Sequence, residues 1–261
     1  MKYFLFFFLS FTIGHAQTGK ITYSSILNFG GSGAKQTTSA LYFTANASLY
    51  QSQLKYDKKT EKEETTKSDS EDSKSVKINI NVGTDSIGDL YYHNLKNKSI
   101  ICRGAIFTNP GIKYSIYKDS TNINWQLLDE FKEISGYRCQ KAATTFRGRK
   151  YEAWFSSEIP LSVGPWKFSG LPGLILEIYD QTGEVYFSAE KIEIPFPLAT
   201  KKVQIPSGNP TVDFQEFVEE ENKASARMTQ AMIARLPKGS TLESIKTKRN
   251  GIELEYPWSK E

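Results

Sequence analysis

From Ile21 onward the chain returns repeatedly to short runs of β-branched and aromatic residues, each closed by turn-forming residues. Ile21 to Phe29 alternates apolar and polar residues until Gly30-Gly31-Ser32-Gly33 breaks it; Ser39 to Thr44 and Ser48-Leu49-Tyr50 follow. Leu90-Tyr91-Tyr92-His93, Ser99 to Cys102, Tyr114 to Tyr117 and the alternating Ile123 to Leu127 continue the series. Tyr137 to Phe146 and Tyr151 to Phe155 flank Arg147-Gly148-Arg149, and Leu174 to Tyr179 and Glu184 to Phe187 flank Asp180-Gln181-Thr182-Gly183, so two hairpins are expected there. Regular spacing of such segments indicates an antiparallel sheet or barrel. The expected fold is mainly β: a curved antiparallel sheet, an open or partial barrel, with one helix from the C-terminal region packed on it.

That helix is expected from Pro210 to about Leu236, with Asn209 as its cap and Pro210 at its first position, where the missing N–H costs nothing. Phe217, Glu221, Ala224, Met228 and Ala231 recur at helical spacing, and Pro237 and Gly239 end the pattern. The Glu219-Glu220-Glu221 run suits the N-terminal half of the helix dipole. A last strand pair, Leu242 to Lys248 and Ile252 to Tyr256, is expected around Asn250-Gly251.

The ends set the compartment. Lys2 precedes the apolar run Phe4 to Ile13, and Gly14-His15-Ala16 supplies small residues where a signal peptidase reads. A run of about 10 apolar residues is half of what a permanent span requires. Residues 1–16 therefore read as a cleavable signal peptide, leaving Gln17 first and 17–261 as one domain. No cysteine follows the cleavage site to carry a lipid anchor. The expected location is the periplasm, the outer-membrane surface or the exterior, and the mature chain is expected not to be an integral membrane protein. Lys55 to Lys77 mixes lysines with Asp57, Glu61, Glu63, Glu64, Asp69, Glu71 and Asp72 and has little to bury, so it reads as a disordered charged loop or, alternatively, a partner-docking tail. The net charge is +4 with scattered basic residues, which together with export argues against a nucleic-acid partner. Cys102 and Cys139 in an exported chain are expected to form one disulfide; two separate buried thiols are the alternative.

Catalytic chemistry has little to work with. His15 leaves with the signal, so His93 is the mature chain's lone histidine, and a core or surface position accounts for it. No zinc, nucleophile-elbow, Walker or dinucleotide pattern occurs, so no metal or cofactor is expected. A carboxylate-based hydrolase would need two facing acids, for which Glu152, Glu158, Glu177 and Asp180 are the candidates.

The unusual stretch is Glu158 to Ile175, where prolines and glycines punctuate Trp166, Phe168 and Leu171. Pro172-Gly173 fits the centre of a type II turn, with Gly173 at positive φ. The loop reads either as a packed crossover covering one end of the sheet or as an aromatic lip on a cleft or partner surface. Within it, Gly170-Leu171-Pro172-Gly173-Leu174-Ile175 is the motif that names the GLPGLI family of Bacteroidetes-type envelope proteins, and Gly136 to Ala142, Phe146 to Arg149, Ala153-Trp154-Phe155, Ile159-Pro160 and Gly164 to Phe168 resemble that family's flanks. The resemblance implies an envelope protein and brings no catalytic residues with it.

The function expected is that of a non-enzymatic envelope binding or accessory protein. Trp154, Trp166, Phe168 and Leu171 would supply apolar contact, and Arg147, Arg149 and Lys167 an anion-recognising rim. The partner would be an outer-membrane receptor or secretion component, or else a lipid or acyl chain held in a half-barrel cavity.

Overall fold

A computed structural model of the chain describes residues 18–29, 34–52, 85–108, 111–208, 211–234 and 251–259. The expected signal peptide, the 55–77 segment, Asn209, Pro210 and Leu242 to Lys248 lie outside them.

Twelve strands form one open sheet, in the order β12-β6-β5-β4-β3-β2-β1-β11-β10-β9-β8-β7. Two antiparallel meanders build it. The first comprises β1 (Gly19–Leu27), β2 (Lys35–Phe43), β3 (Ala47–Gln51), β4 (Leu90–Asn94), β5 (Ser99–Phe107) and β6 (Ile112–Asp119). The second comprises β7 (Gln126–Ile134), β8 (Tyr137–Phe146), β9 (Arg149–Ser156), β10 (Leu174–Asp180) and β11 (Val185–Glu193). They join where β1 pairs antiparallel with β11. At the far edge β12 (Thr211–Asp213) adds three residues parallel to β6. A short helix α1 (Ala199–Lys202) follows β11, and α2 (Phe214–Ile233) is the long helix.

The hairpins form where turn chemistry demands them. Arg147 and Gly148 both adopt positive φ, 49° and 80°, as the two centre positions of a type I′ turn require, and β8 pairs with β9 through Phe146 and Arg149. Three expectations shift. Residues 121–125 carry no strand, and β7 begins at Gln126. Ile252 to Tyr256 runs as irregular chain rather than as a strand. The helix starts at Phe214, not Pro210, because Asp213 and Glu216 form a reciprocal cap: Glu216 N donates to Asp213 Oδ1 at 2.8 Å and Asp213 N to Glu216 Oε2 at 3.3 Å.

The core has two main bodies. The larger lies under β1, β2 and β8–β11 and is filled by Ile159, Leu161, Val163, Trp166, Phe168 and Leu171 from the loop between β9 and β10. The smaller sits between β5, β6 and α2, and includes Cys102, Ile106, Tyr117, Phe214, Phe217, Val218 and Tyr256. Tyr91 packs against both. The expected disulfide is overturned: Cys102 and Cys139 are free, buried thiols. Seven strands separate β5 from β8 in the sheet order, and each cysteine belongs to a different core, whereas a disulfide needs Cα atoms within about 7 Å. Burial pushes the Cys102 thiol up to about 12 and the Cys139 thiol up to about 11, so both are protonated.

Candidate functional site

The loop between β9 and β10 is a packed crossover, and the chemistry of the motif explains it. Leu171, Leu174 and Ile175 are fully buried. Gly173 does not take positive φ, contrary to the type II turn expected; the left-handed residue is Gly170, at φ 102°. Gly173 is required by space, since a Cβ there would stand 2.2 Å from the Ser156 carbonyl oxygen. Trp166, a non-glycine residue at φ 53°, is turned inward, edge-on to Phe168 at 5.0 Å and to Phe146 at 6.0 Å. Buried His93 bonds the Trp166 carbonyl through Nε2 at 3.2 Å. Burial pulls this imidazole down to about 4, so it is neutral and Nε2–H donates.

Trp154 shares a core body with the other aromatic candidates but faces the other way on β9. Tyr151 packs on Phe168 at 4.8 Å, so alternation along β9 sends Trp154 to the opposite sheet face. There Lys132 and Lys141 lie over its ring at 4.4 and 5.7 Å. Trp166, Phe168 and Leu171 come together; Trp154 belongs to the same core body but lies on the other face of β9.

The three basic candidates face internal carboxylates. Lys167 is wholly buried, with Nζ 2.8 Å from Asp119 Oδ2 and 3.1 Å from Glu253 Oε1. Arg147 reaches the same two acids, Nη2 to Asp119 Oδ1 at 2.8 Å and Nε to Glu253 Oε1 at 3.2 Å. Burial pulls the Lys167 ammonium down, but Glu253 and Asp119 outweigh it and hold it above its ordinary value. Arg149 binds Asp180 at 2.6 Å, Glu184 at 2.7 Å and the Gly251 carbonyl at 2.6 Å. Leu254 and Glu255 N–H groups both donate to the Arg147 carbonyl. The β8–β9 turn and Lys167 thus clasp residues 251–256 as a strap along the sheet.

Each of the four acids considered for hydrolysis has a partner within the fold. Glu152 pairs with Lys141 and accepts from Tyr179, Glu177 pairs with Lys132, Glu158 accepts from Arg138 N–H, and Asp180 is held by Arg149. Among the described residues no group of three His, Cys, Asp or Glu side chains is arranged to hold a metal.

The cavity lies elsewhere. A cleft of about 860 Å³ opens between β4–β6, α2 and the strap. Tyr91, Tyr117, Trp166, Phe214, Phe217 and Tyr256 form much of its wall, and Asp89, Glu221 and Glu253 bring carboxylates to it. Gly104 makes the wall: a Cβ there would stand 2.7 Å from the Phe217 ring, which stacks on Tyr117 at 4.1 Å. Burial pushes Asp89 up to about 6, against the Ala105 N–H bond and the Arg103 guanidinium that favour its charged form. Of these residues Trp166 alone is among the binding residues expected from the sequence. The Asp213-Phe214-Gln215-Glu216 capping pattern was the available signal for where α2 turns its apolar side, and hence for Phe214 and Phe217.

Residues 146–177 match the model of a family described as a protein of unknown function, Porph_ging, a stretch that contains Gly170 to Ile175. None of the curated proteins matches the chain. Ten chains of solved structure do. Two are structures of PNGF-II in space groups C2 and P21, at 18% and 16% identity with TM-scores of 0.54 and 0.53. Each likeness covers 80% of this chain, which spans only 33% and 34% of those chains, and it shows a shared fold. No helix among the described residues is long and apolar enough to cross a membrane.

Proposed function

We propose that this is an exported, non-enzymatic binding protein of the cell envelope, of GLPGLI type, which holds its ligand in the cleft between β4–β6, α2 and the strap. The GLPGLI assignment rests on the six-residue motif and its flanks. The observation that carries the binding reading is the cleft itself: about 860 Å³, walled by aromatic side chains, in the size range of small-molecule sites. The β9–β10 loop is packed inward and gives the cleft Trp166, so the recognition surface is the cleft rather than an exposed aromatic lip.

Native mass spectrometry of the protein purified from the envelope of its own bacterium tests the reading. A bound small molecule is expected that disappears in Ser225→Trp, where an exposed α2 residue on the cleft is replaced by a side chain that fills it. A bare mass for the unaltered protein, or an adduct retained by Ser225→Trp, would remove the cleft as the site.

A further inference from the structure

One side of β5 is open where it borders the cleft. Towards β6 the strand is paired from Ile100, opposite Asp119, to Phe107, opposite Ile112. Towards β4 the pairing stops early: Leu90 opposite Arg103 is the last pair, and no described strand continues along Gly104–Phe107. The chain leaves that line at Gly88, whose φ is 70° and where a Cβ would stand 2.8 Å from the Ser52 carbonyl oxygen. Arg103 holds the turn, donating to the Gly88 carbonyl and pairing with Asp85. The sheet is thus notched over about 13 Å, at about 3.3 Å per residue. Gly104, Ala105 and Phe107 line the cleft along the notch.

The main-chain groups in the notch are set at strand spacing. Ala105 N–H donates to Asp89 Oδ1 at 3.1 Å, so a side-chain carboxylate stands there in place of a strand carbonyl. Antiparallel alternation turns the Ala105 carbonyl and the Phe107 N–H and carbonyl to the same side. None of these three groups has a hydrogen bond among the described residues. An extended main chain matches such a row of donors and acceptors, whereas a compact apolar molecule does not. The side chains of a chain laid here would alternate between two faces. A residue opposite Ile106 would turn its side chain to the face of the smaller core, where Tyr91, Tyr117 and Phe217 wall the cleft.

We propose that the cleft takes a short extended peptide, added antiparallel to β5 in the line that β4 leaves, with apolar side chains at alternate positions. The peptide main chain exchanges its bonds with Phe107, and the apolar side chains enter the aromatic part of the cleft. This rests on the cleft being the binding site and names the class of ligand that the site takes.

The probe is the uncharged pentapeptide acetyl-Thr-Phe-Thr-Phe-Thr-amide, titrated calorimetrically into the protein beside two isomers, one methylated on two threonine nitrogens and one on both phenylalanine nitrogens. With the phenylalanine rings in the cleft, the threonine N–H groups face β5 and the phenylalanine N–H groups face away. Methylation of the threonine nitrogens should weaken binding about tenfold or more, and that of the phenylalanine nitrogens by less than about twofold. On the protein, Phe107→Pro removes an N–H that β6 does not use, and should bind the parent peptide about fivefold more weakly than Phe107→Ala, which keeps it. Ser225→Trp should abolish binding. Equal affinities for the two isomers, or for the two Phe107 variants, with binding lost in Ser225→Trp, would overturn the strand pairing and leave the cleft a binding site. No binding of the parent peptide would overturn the pairing too, while a ligand seen by native mass spectrometry keeps the cleft. Peptide binding unchanged in Ser225→Trp would overturn both.

Discussion

At the scale of single residues, two titratable groups near the cleft oppose each other, half-buried Asp89 and buried His93. Asp89 keeps its proton to about pH 6 in the folded protein against an ordinary value of 3.8, so its contribution to stability is full below the ordinary value and is lost as pH rises through about 6. His93 is displaced the other way, from 6.5 to about 4, so its contribution is full above 6.5 and is lost as pH falls through about 4. The charges facing Asp89 are Arg103, Asp85 and Glu221; those acting on His93 are Lys167 and Asp119. Between about pH 4 and 6.5 the two slopes offset each other. Asp89→Asn keeps an acceptor for Ala105 N–H and removes the charge. It should be more stable than the unaltered protein at pH 8, by on the order of 1–2 kcal/mol, and should lose stability on acidification, with the His93 slope exposed. His93→Gln should show the reverse slope. Urea midpoints measured across this range decide it: parallel profiles for all three proteins would refute the pairing. The ion cluster gives a second contrast. Glu253→Gln leaves two buried cations with Asp119 alone and should cost about 3 kcal/mol, whereas Glu220→Gln, in an exposed pair with Lys113, should cost under about 1 kcal/mol. The rim expected from Arg147, Arg149 and Lys167 could not be told from an internal cluster by reading the sequence, because Asp119 and Glu253 lie far from them along the chain and only the fold brings them together.

At the scale of elements, local signals served where one turn or one period decides the outcome. Arg147-Gly148 marks its hairpin because two consecutive positive-φ residues favour that turn, and the antiparallel meanders follow from alternation within each strand. The helix begins later than Asn209-Pro210 suggests, because Asp213 and Glu216 supply a reciprocal cap that starts α2 at Phe214. Gly173 was misread in kind: Pro-Gly suggests a turn that needs positive φ, while the actual demand is close approach to the Ser156 backbone, which depends on the β9–β10 pairing. These two accounts separate experimentally. A D-alanine at 173, introduced by semisynthesis, would be tolerated if positive φ were the requirement. Contact with Ser156 means that Gly173→Ala must push β9 and β10 apart where Leu174 pairs with Ser156, and it should cost about 3 kcal/mol or more. Gly183→Ala, at φ 73° with nothing within 4 Å of the added carbon, should cost about 1 kcal/mol. Equal losses in urea unfolding for the two alanine variants would return Gly173 to a purely conformational role.

At the scale of the whole molecule, the sheet is continuous but the core is not. The larger body is sealed by the crossover loop, which threads Trp166, Phe168 and Leu171 into it; the smaller depends on α2 and the strap. The walls of the cleft come from residues 89–91, 104–107, 117, 166, 214–229 and 251–256, six separated pieces that no local pattern links, which is why the sequence marked the loop with Trp166 and passed over the rest of the cleft. The two free cysteines report on the two bodies separately, Cys139 in the larger and Cys102 in the smaller. In the native protein both thiols should resist a thiol reagent, since each is buried and protonated, and a reductant should leave stability unchanged. An opening that detaches α2 and the strap exposes less apolar surface than loss of the larger core, so it requires less free energy. Cys102 should therefore become labelled at lower urea than Cys139, read by mass spectrometry after a short pulse of reagent. Ligand in the cleft, which bridges α2 to the sheet, should move the Cys102 midpoint upward and leave that of Cys139 nearly fixed. Coincident labelling of both cysteines would mean instead that the sheet and its two cores unfold as one cooperative unit, with the cleft no more labile than the crossover.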